Sequence, residues 1–328
     1  MKKRASDMKD SYGREINYMR ISVTDRCNLR CRYCMPEGMP SVPHDDILRY
    51  EELLRICRTA VQLGINRFKV TGGEPLVRRG CVRFICDLKA MPGAESVTLT
   101  TNGLLLEEHL PELVKSGIDG INISLDAVNE ETFRRITGGE NAAHVLSAIE
   151  AAAKSGIRTK VNTVLLRENF GAVPALAGLA KRLPADVRFI ELMPIGYGRG
   201  LRGAGEDEII RLLRREYPDL HPVRERRGNG PAEYYASKSL LGRIGFIGAN
   251  THKFCQSCNR IRLTSTGQLK PCLCYEDGAD IRKLLRQGCT DEELKQALAD
   301  AVNGKPEAHC FNAAEEITEH RCMSQIGG

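Results

Sequence analysis

Between about residues 16 and 193 the chain alternates between two hydrophobic rhythms. Short β-branched runs occupy residues 19–24, 67–71, 96–100, 120–124, 159–165 and 186–192, each the length of a strand. Between them, apolar positions recur near a 3.6-residue period. Residues 51–63 show it with Leu53, Leu54, Ile56, Cys57, Ala60, Val61 and Leu63. Residues 104–115, 142–154 and 173–183 read the same way and predict helices. Gly64, Gly117 and Gly156 each follow one of these stretches and suit a left-handed C′ cap. Six strand–helix repeats predict a parallel sheet with right-handed crossovers. A partial (β/α)6 barrel and a doubly wound open sheet both fit, and in both, ligands gather at the C-terminal ends of the strands.

After Pro194 the pattern changes. Gly196, Gly198, Gly200, Gly203 and Gly205 make a tightly turning connector. Residues 206–217 read as a helix. The short runs 232–236, 241–247, 260–264 and 268–271 predict antiparallel strands, and 281–286 and 292–302 predict closing helices. Residues 305–328 show no period. The expected organisation is an N-terminal segment at 1–15, an α/β unit at 16–196, and a smaller α+β unit at 197–328 covering the open side.

Composition narrows the class. At 328 residues, with 42% hydrophobic and 27% charged positions, the chain has the make-up of a globular protein of one or two domains. A chain this long buries roughly three quarters of its unfolded surface and needs no disulfide to hold it together. A collagen, a disordered tail and a disulfide-knotted miniprotein are excluded. The net charge is +6, from 48 basic and 42 acidic residues. That excess suits an anionic small molecule and is too small to argue for nucleic acid. The absence of Trp, with aromatics at 5%, speaks against a base-stacking platform. The charged first residues lead into no apolar h-region and no 18-residue apolar run follows, so neither a secretory signal nor a membrane span is expected. A reducing cytoplasm is the expected compartment, where thirteen cysteines read as ligands or catalytic groups before they read as disulfides.

Two cysteine sets stand out. Cys27, Cys31 and Cys34 form C-x3-C-x2-C in a polar loop after the first strand. Three thiolates from one short loop can bind three irons of a [4Fe–4S] cluster and leave the fourth open. On spacing alone, a three-Cys zinc site fits as well. Cys255, Cys258 and Cys272 form C-x2-C-x13-C. That set reads either as a second three-Cys cluster or, with Cys274, as a zinc ribbon.

Context bears on the choice. Tyr33 lies inside the first set, and Thr71-Gly72-Gly73-Glu74-Pro75 follows the second predicted strand. Together these resemble the radical S-adenosylmethionine (SAM) superfamily, in which the three cysteines hold the cluster and the GGEP turn receives the SAM amino group. The physics agrees. Gly72 and Gly73 permit close backbone approach, Glu74 can orient the turn, and Pro75 stiffens it. Further along, Phe254-Cys255-Gln256-Ser257-Cys258-Asn259-Arg260-Ile261-Arg262-Leu263-Thr264 with Gly267 and Cys272-Leu273 resembles the GTP 3′,8-cyclase family of molybdenum cofactor biosynthesis. So do Arg188-Phe189-Ile190-Glu191-Leu192-Met193-Pro194-Ile195-Gly196 and the closing Met323-Ser324-Gln325-Ile326-Gly327-Gly328. The similarity runs from about Tyr18 to Gly328.

The resemblance implies a partial (β/α)6 barrel of the radical SAM type. It implies that a 5′-deoxyadenosyl radical takes the C3′ hydrogen of GTP, and that C3′ then attacks guanine C8 to give (8S)-3′,8-cyclo-7,8-dihydro-GTP. By matching motifs, Cys27, Cys31 and Cys34 hold the first [4Fe–4S] cluster, and Cys255, Cys258 and Cys272 the second. SAM falls to Tyr33, Gly73, Ser124 and Met193. GTP falls to Arg20, Lys69, Thr100, Lys160, Arg260, Ile261 and Arg262, with Arg20, Arg260 and Arg262 as the catalytic arginines. Arginine forks fit phosphate oxygens bidentately, whereas Lys69 and Lys160 act as point charges. The resemblance further implies a homodimer, an electron donor it does not identify, and cyclic pyranopterin monophosphate synthase as the next enzyme. Neither nucleic acid nor membrane is an expected partner. The double-glycine end is expected to reach the site.

Two positions depart from the family pattern. Lys69 stands where an Arg is expected, and Cys274 where an aromatic is expected, as either a spare thiolate or a small buried hydrophobe. Cys57, Cys81, Cys86, Cys289, Cys310 and Cys322 read as core or surface thiols. A radical SAM peptide-maturation enzyme with an auxiliary cluster and a zinc-ribbon binding protein are the rival readings.

Overall fold

The computed structural model describes residues 8–38 and 42–327. Strands and helices alternate through its first part: β1 (Tyr18–Ser22), α1 (Tyr50–Gln62), β2 (Arg67–Thr71), α2 (Cys81–Lys89), β3 (Ser96–Thr101), α3 (Leu106–Ser116), β4 (Gly120–Ser124), α4 (Glu130–Thr137), α5 (Ala142–Lys154), β5 (Thr159–Leu165), α6 (Val173–Arg182) and β6 (Asp186–Glu191). The remainder holds α7 (Glu206–Glu216), β7 (His221–Val223), β8 (Glu233–Ala236), β9 (Ile244–Ile247), β10 (Arg260–Leu263), β11 (Gln268–Lys270), β12 (Ala279–Asp280), α8 (Ile281–Arg286), α9 (Asp291–Asn303) and α10 (Met323–Ile326).

Strands β1 to β6 pair in sequence order and in parallel. This is the partial (β/α)6 barrel that the family resemblance implies, and not the doubly wound sheet that periodicity alone also allows. The antiparallel expectation for the later strands needs correcting. β8 and β11 do pair antiparallel with β9 and β10. However, β9 joins β6 in parallel, and β10 joins β1 in parallel. One sheet of twelve strands results, ordered β12-β11-β10-β1-β2-β3-β4-β5-β6-β9-β8-β7. Segments far apart in sequence therefore extend both edges of the barrel, covering edges that would otherwise stay unpaired.

The pleat explains the division of labour. Met19, Ile21, Phe68, Val70, Val97, Leu99, Ile121, Ile123, Val161, Val187 and Phe189 point outward and pack under the helices. Leu53 and Ile56 of α1, Phe84 and Ile85 of α2, Leu113 of α3, Ile149 of α5 and Leu176 of α6 meet them. The alternate positions, Arg20, Lys69, Thr98, Asn122, Asn162 and Arg188 among them, turn to the bore. Gly64, Gly117 and Gly156 take positive φ at the helix ends, as their positions predict. Helices α2 and α4 were not expected from periodicity. The second is short and is framed by the Asn129 side chain, which accepts from the Thr132 amide at 2.8 Å.

Loops close the two mouths. At the N-terminal end of the strands, the β7–β8 connection is pinned by Arg227, whose Nε donates to both Asp186 carboxylate oxygens at 3.0 Å. The Lys160 ammonium donates to the Arg227 carbonyl. At the opposite end the last segment of the chain folds back over the barrel. It is anchored by an ion pair between Lys270 of β11 and Glu319, both side chains 0% exposed. Arg321 Nε adds a contact to Glu319 at 3.0 Å. Arg199 donates to the carbonyls of Ile317 at 3.1 Å and Glu319 at 3.0 Å. Burial would raise the Glu319 carboxyl, but its bonds from Arg321 and Lys270 hold it below the usual range.

Removing one member of a buried pair leaves an uncompensated charge, at a cost of about 3–5 kcal/mol. Glu319→Ala is therefore expected to lower the urea unfolding free energy by about that amount. Replacing both partners together, Lys270→Met with Glu319→Gln, is expected to cost clearly less. Equal losses in the two variants would contradict this account of the anchor.

Candidate active site

The bore carries a belt of positive charge. In register, Arg20 of β1 lies beside Arg262 of β10 on one side and Lys69 of β2 on the other. Arg260 pairs with Tyr18 on the neighbouring row. Lys160 and Arg188 come from β5 and β6. These cations feel one another. Burial lowers the Lys69 ammonium well below its ordinary range, and the charges of Arg188, Arg20, Lys160 and Arg260 push it further. Burial and then Arg188 bring Lys160 down to about 7. Arg262 is lowered by burial and then by Arg20 and Arg260. Arg188 is oriented by neutral amides: its guanidinium donates to Asn162 Oδ1 at 2.6 and 2.9 Å and to Asn122 Oδ1 at 2.8 Å. An amide positions a guanidinium without cancelling its charge, so the belt keeps its attraction for a polyanion.

At the C-terminal mouth, the loop after β1 brings Cys27, Cys31 and Cys34 together. The Cys34 and Met35 amides close a turn on the Cys31 carbonyl, both at 2.9 Å. The Leu29 amide donates to Cys27 Sγ at 3.4 Å. Burial raises all three thiols. Cys34 reaches about 12, with the Cys27 charge as the next cause, and Cys31 is raised further by Asp126, Cys34 and Cys27. Thiols that resist joint ionisation by themselves become thiolates when a metal supplies positive charge.

Gly72 and Gly73 are stitched to the start of that loop. A Cβ on Gly72 would lie 2.5 Å from the Thr24 carbonyl oxygen, and one on Gly73 would lie 2.4 Å from that of Arg26. The Gly73 and Glu74 amides donate to those same two carbonyls at 2.8 Å. Only glycine fits there. Glu74 locks the turn to the end of β3, accepting from Thr101 Oγ1 at 2.8 Å, the Asn102 amide at 2.6 Å and the Leu76 amide at 3.0 Å. Burial pushes its carboxyl up to about 7 against those donors. Tyr33 donates to Asp126 Oδ2 at 2.8 Å.

One cavity joins these parts. Cys27, Cys31, Cys34, Tyr33, Gly73, Ser124 and Met193 line it together with Arg20, Thr100 and Arg262. Its lining holds three cysteines and neither a fourth nor a histidine among the described residues. In number and kind that donor set suits a cluster with one open iron, and no group of His, Cys, Asp and Glu among the described residues is gathered to hold a single metal ion such as a four-ligand structural zinc. Lys69 and Lys160 line a second space deeper in the bore with Arg188.

The second set lies where β10 begins and β11 ends. Cys255 opens a single turn, Cys258 precedes β10 and Cys272 follows β11. Burial raises Cys258, but Arg260 and Lys305 outweigh it and bring the thiol to about 7. The His309 amide donates to Cys255 Sγ at 3.4 Å. The Cys274 thiol is turned to Cys310 at 2.8 Å, inside an apolar cluster with Ile195, Leu273, Phe311 and Ile326 against which Cys272 packs, which leaves a three-thiol set here also. Ile261 is likewise turned away, into the core under the helices, and only its main chain is near the bore.

The end of the chain enters the site. Arg262 Nη1 donates to the Gly327 carbonyl at 2.6 Å. Gly327 has φ +74°, and a Cβ there would lie 3.2 Å from that of Ser22. Met323 and Ser324 line the same cavity as the first cysteine set. Gly328 lies outside the described residues. Arg188, Asn122, Asn162 and Asp126 belong to the site and were not among the expected contacts. For Arg188, Asn122 and Asn162 the period-two alternation along their strands was the signal that could have found them, whereas Asp126 lies beyond the end of β4.

Comparison with known proteins agrees along the whole chain. Residues 21–180 match the Radical SAM superfamily model and residues 185–311 the Molybdenum Cofactor Synthesis C model. The GTP 3′,8-cyclase of Clostridium perfringens (strain SM101 / Type A) is 42% identical over 323 residues, covering 98% of this chain and 100% of that protein. That of Heliobacterium modesticaldum is 44% identical over 330 residues, with the same two shares. Among solved structures, Streptococcus suis SuiB bound to S-adenosylmethionine superposes with TM-score 0.64 at 14% identity, covering 94% of this chain and 77% of SuiB. At that identity the likeness is one of fold. With more than two fifths of its residues shared over nearly its full length, and with both family models matched in order, the chain belongs to the GTP 3′,8-cyclase family of the radical SAM superfamily.

Proposed function

We propose that this chain converts GTP to (8S)-3′,8-cyclo-7,8-dihydro-GTP in molybdenum cofactor biosynthesis. The observation that carries the reading is the inward-facing belt of Arg20, Lys69, Lys160, Arg188, Arg260 and Arg262, in which Lys160, Arg188 and Arg262 are buried and the other three half-buried. When bound, SAM and the first [4Fe–4S] cluster would supply the radical chemistry at C3′.

The chain's own residues do the rest by position. Cys27, Cys31 and Cys34 would hold the first cluster, and Cys255, Cys258 and Cys272 the second, which would offer the guanine a site. Tyr33, the Gly73 main chain, Ser124 and Met193 hold SAM. Arg20, Arg262 and Arg260 fork onto the triphosphate, with Lys69, Lys160 and Arg188 as further charges deeper in the bore. Thr100 and the Ile261 main chain complete the pocket. Fixed in this way, C3′ and C8 of one nucleotide meet in an oriented pair, and loops at both mouths keep water from the reacting atoms. The Gly327 carbonyl on Arg262 sets that guanidinium's direction, giving the end of the chain a part in the site.

The division into 1–15, 16–196 and 197–328 serves as a functional one, with the second cluster in the last part, although one sheet runs through both larger parts. No helix of the described residues is long and apolar enough to cross a membrane. We place the protein in the cytoplasm as a homodimer that takes electrons from a separate donor and passes product to cyclic pyranopterin monophosphate synthase.

Three outcomes are expected. With reconstituted protein, SAM and a strong reductant, 5′-deoxyadenosine formation rises with GTP and not with ATP, and GTP is consumed. Cleavage that ignores GTP would sink the substrate assignment and favour a peptide substrate. Deleting Gly327–Gly328, or Arg262→Lys, lowers GTP turnover by at least about tenfold, the loss of one oriented hydrogen bond to a charged group, while SAM binding is retained. Unchanged turnover would remove the tail from the site. Finally, Lys160 sits near 7, and a triphosphate favours its charged form. GTP binding then takes up a proton above that pH, and affinity falls as pH rises, by up to about tenfold per unit. Calorimetry of Lys160→Gln should show weaker binding and a flatter profile.

A further inference from the structure

Outside the two three-thiol sets, two more cysteines meet. Cys274 Sγ and Cys310 Sγ, 36 positions apart in the chain, are 2.8 Å from each other. Cys274 is 0% exposed and Cys310 7%, within the apolar cluster that also holds Ile195, Ala249 and Phe311. The contact is held by main chain as well as by side chains. The Cys310 amide donates to Cys274 Sγ at 3.3 Å. On either side, Lys305 Nζ donates to the Pro271 carbonyl at 2.5 Å, and Tyr275 Oη to that of Ala308 at 3.2 Å. The two segments are therefore zipped in a fixed register that presents one thiol to the other.

We propose that Cys274 and Cys310 are a redox-active pair that closes to a disulfide under peroxide and keeps the second cysteine site assembled. Cys310, the more exposed, attacks the O–O bond of hydrogen peroxide, which leaves a sulfenic acid and one water. Cys274 sulfur displaces the hydroxyl, forming the S–S bond and a second water. Two thiols lose two electrons and two protons, and one peroxide takes them. A dithiol reductant reverses the step. The pair joins the segment carrying Cys272 to the one whose His309 amide holds Cys255 Sγ. Once closed, it ties both walls together and leaves Cys272 facing Cys255 and Cys258. The protective role rests on reading those three as cluster ligands, but the disulfide itself does not. Cys274 stands where the family resemblance leads one to expect an aromatic, so the resemblance by itself does not imply this pair.

The test uses reconstituted holoenzyme with its iron counted, treated anaerobically with hydrogen peroxide, alkylated in denaturant, digested and mapped by mass spectrometry with fragmentation. The expected product is a Cys274–Cys310 peptide two hydrogens lighter than the separate thiols, lost again on dithiol treatment, with Cys57 and Cys81 alkylated throughout. Recovery of Cys274 and Cys310 as free thiols at peroxide doses that strip iron overturns the proposal, as does pairing of Cys274 with Cys272. Cys310→Ala is expected to match wild type in turnover before peroxide and to regain less iron on reconstitution afterwards. Equal recovery overturns the protective role. The iron content of untreated Cys272→Ala reports separately on the cluster reading, so the two failures are distinguishable.

Discussion

Each strand of this barrel has to satisfy two environments at once, and the rest of the structure depends on that. A parallel strand flanked by helices on both faces is normally apolar on both. Here Tyr18-Met19-Arg20-Ile21-Ser22 and Arg67-Phe68-Lys69-Val70-Thr71 alternate strictly, so the pleat sends hydrocarbon out to the helices and charge in to the bore. The outer layer, with Met19, Phe68 and Phe189 fully or nearly fully buried, fixes the strands firmly enough to hold mutually repelling cations a few residues apart. Slipping one strand by a single residue would put Arg20 under α1 and Ile21 in the bore. The apolar packing outside therefore sustains the electrostatics within.

The two mouths are closed in different ways, each suited to its chemistry. At the C-terminal mouth the close approach is between main chains. Gly72 and Gly73 sit against the carbonyls of Thr24 and Arg26, so the turn that ends β2 and the loop that carries the first cysteines move as one piece. The end of the chain completes this mouth, clamped by Lys270, Glu319 and Arg321 before it reaches Arg262. At the N-terminal mouth the closure is ionic, through Arg227 and Asp186.

The comparison with SuiB shows how much the architecture can carry without sequence in common. At 14% identity it shares a fold across 94% of this chain. The family assignment rests instead on the extensive identity with the cyclases and on features beyond the barrel: the C-x2-C-x13-C set and the β10 run Arg260-Ile261-Arg262 that lays two arginines on the bore side and an isoleucine on the core side.

The six core strands and most of their helices were legible from local signals alone, because tertiary packing here does not override β-branched runs, 3.6-residue periods and terminal glycines. Helix α2 has only nine residues, too few to set up a clear 3.6-residue period, and α4 carries only Phe133 and Ile136 as buried large apolar residues. The ligand loops were legible because three thiols within eight residues, or a GGEP turn, act within a single stretch of chain. Strand pairing at the edges was not: neighbours in sequence favour hairpins, yet β9 and β10 reach opposite edges of the barrel. Nor could any local pattern place Gly327 on Arg262, Glu319 on Lys270 or Cys310 on Cys274. Those contacts join segments tens of residues apart, and only the closed sheet and the folded-back end of the chain bring them within reach.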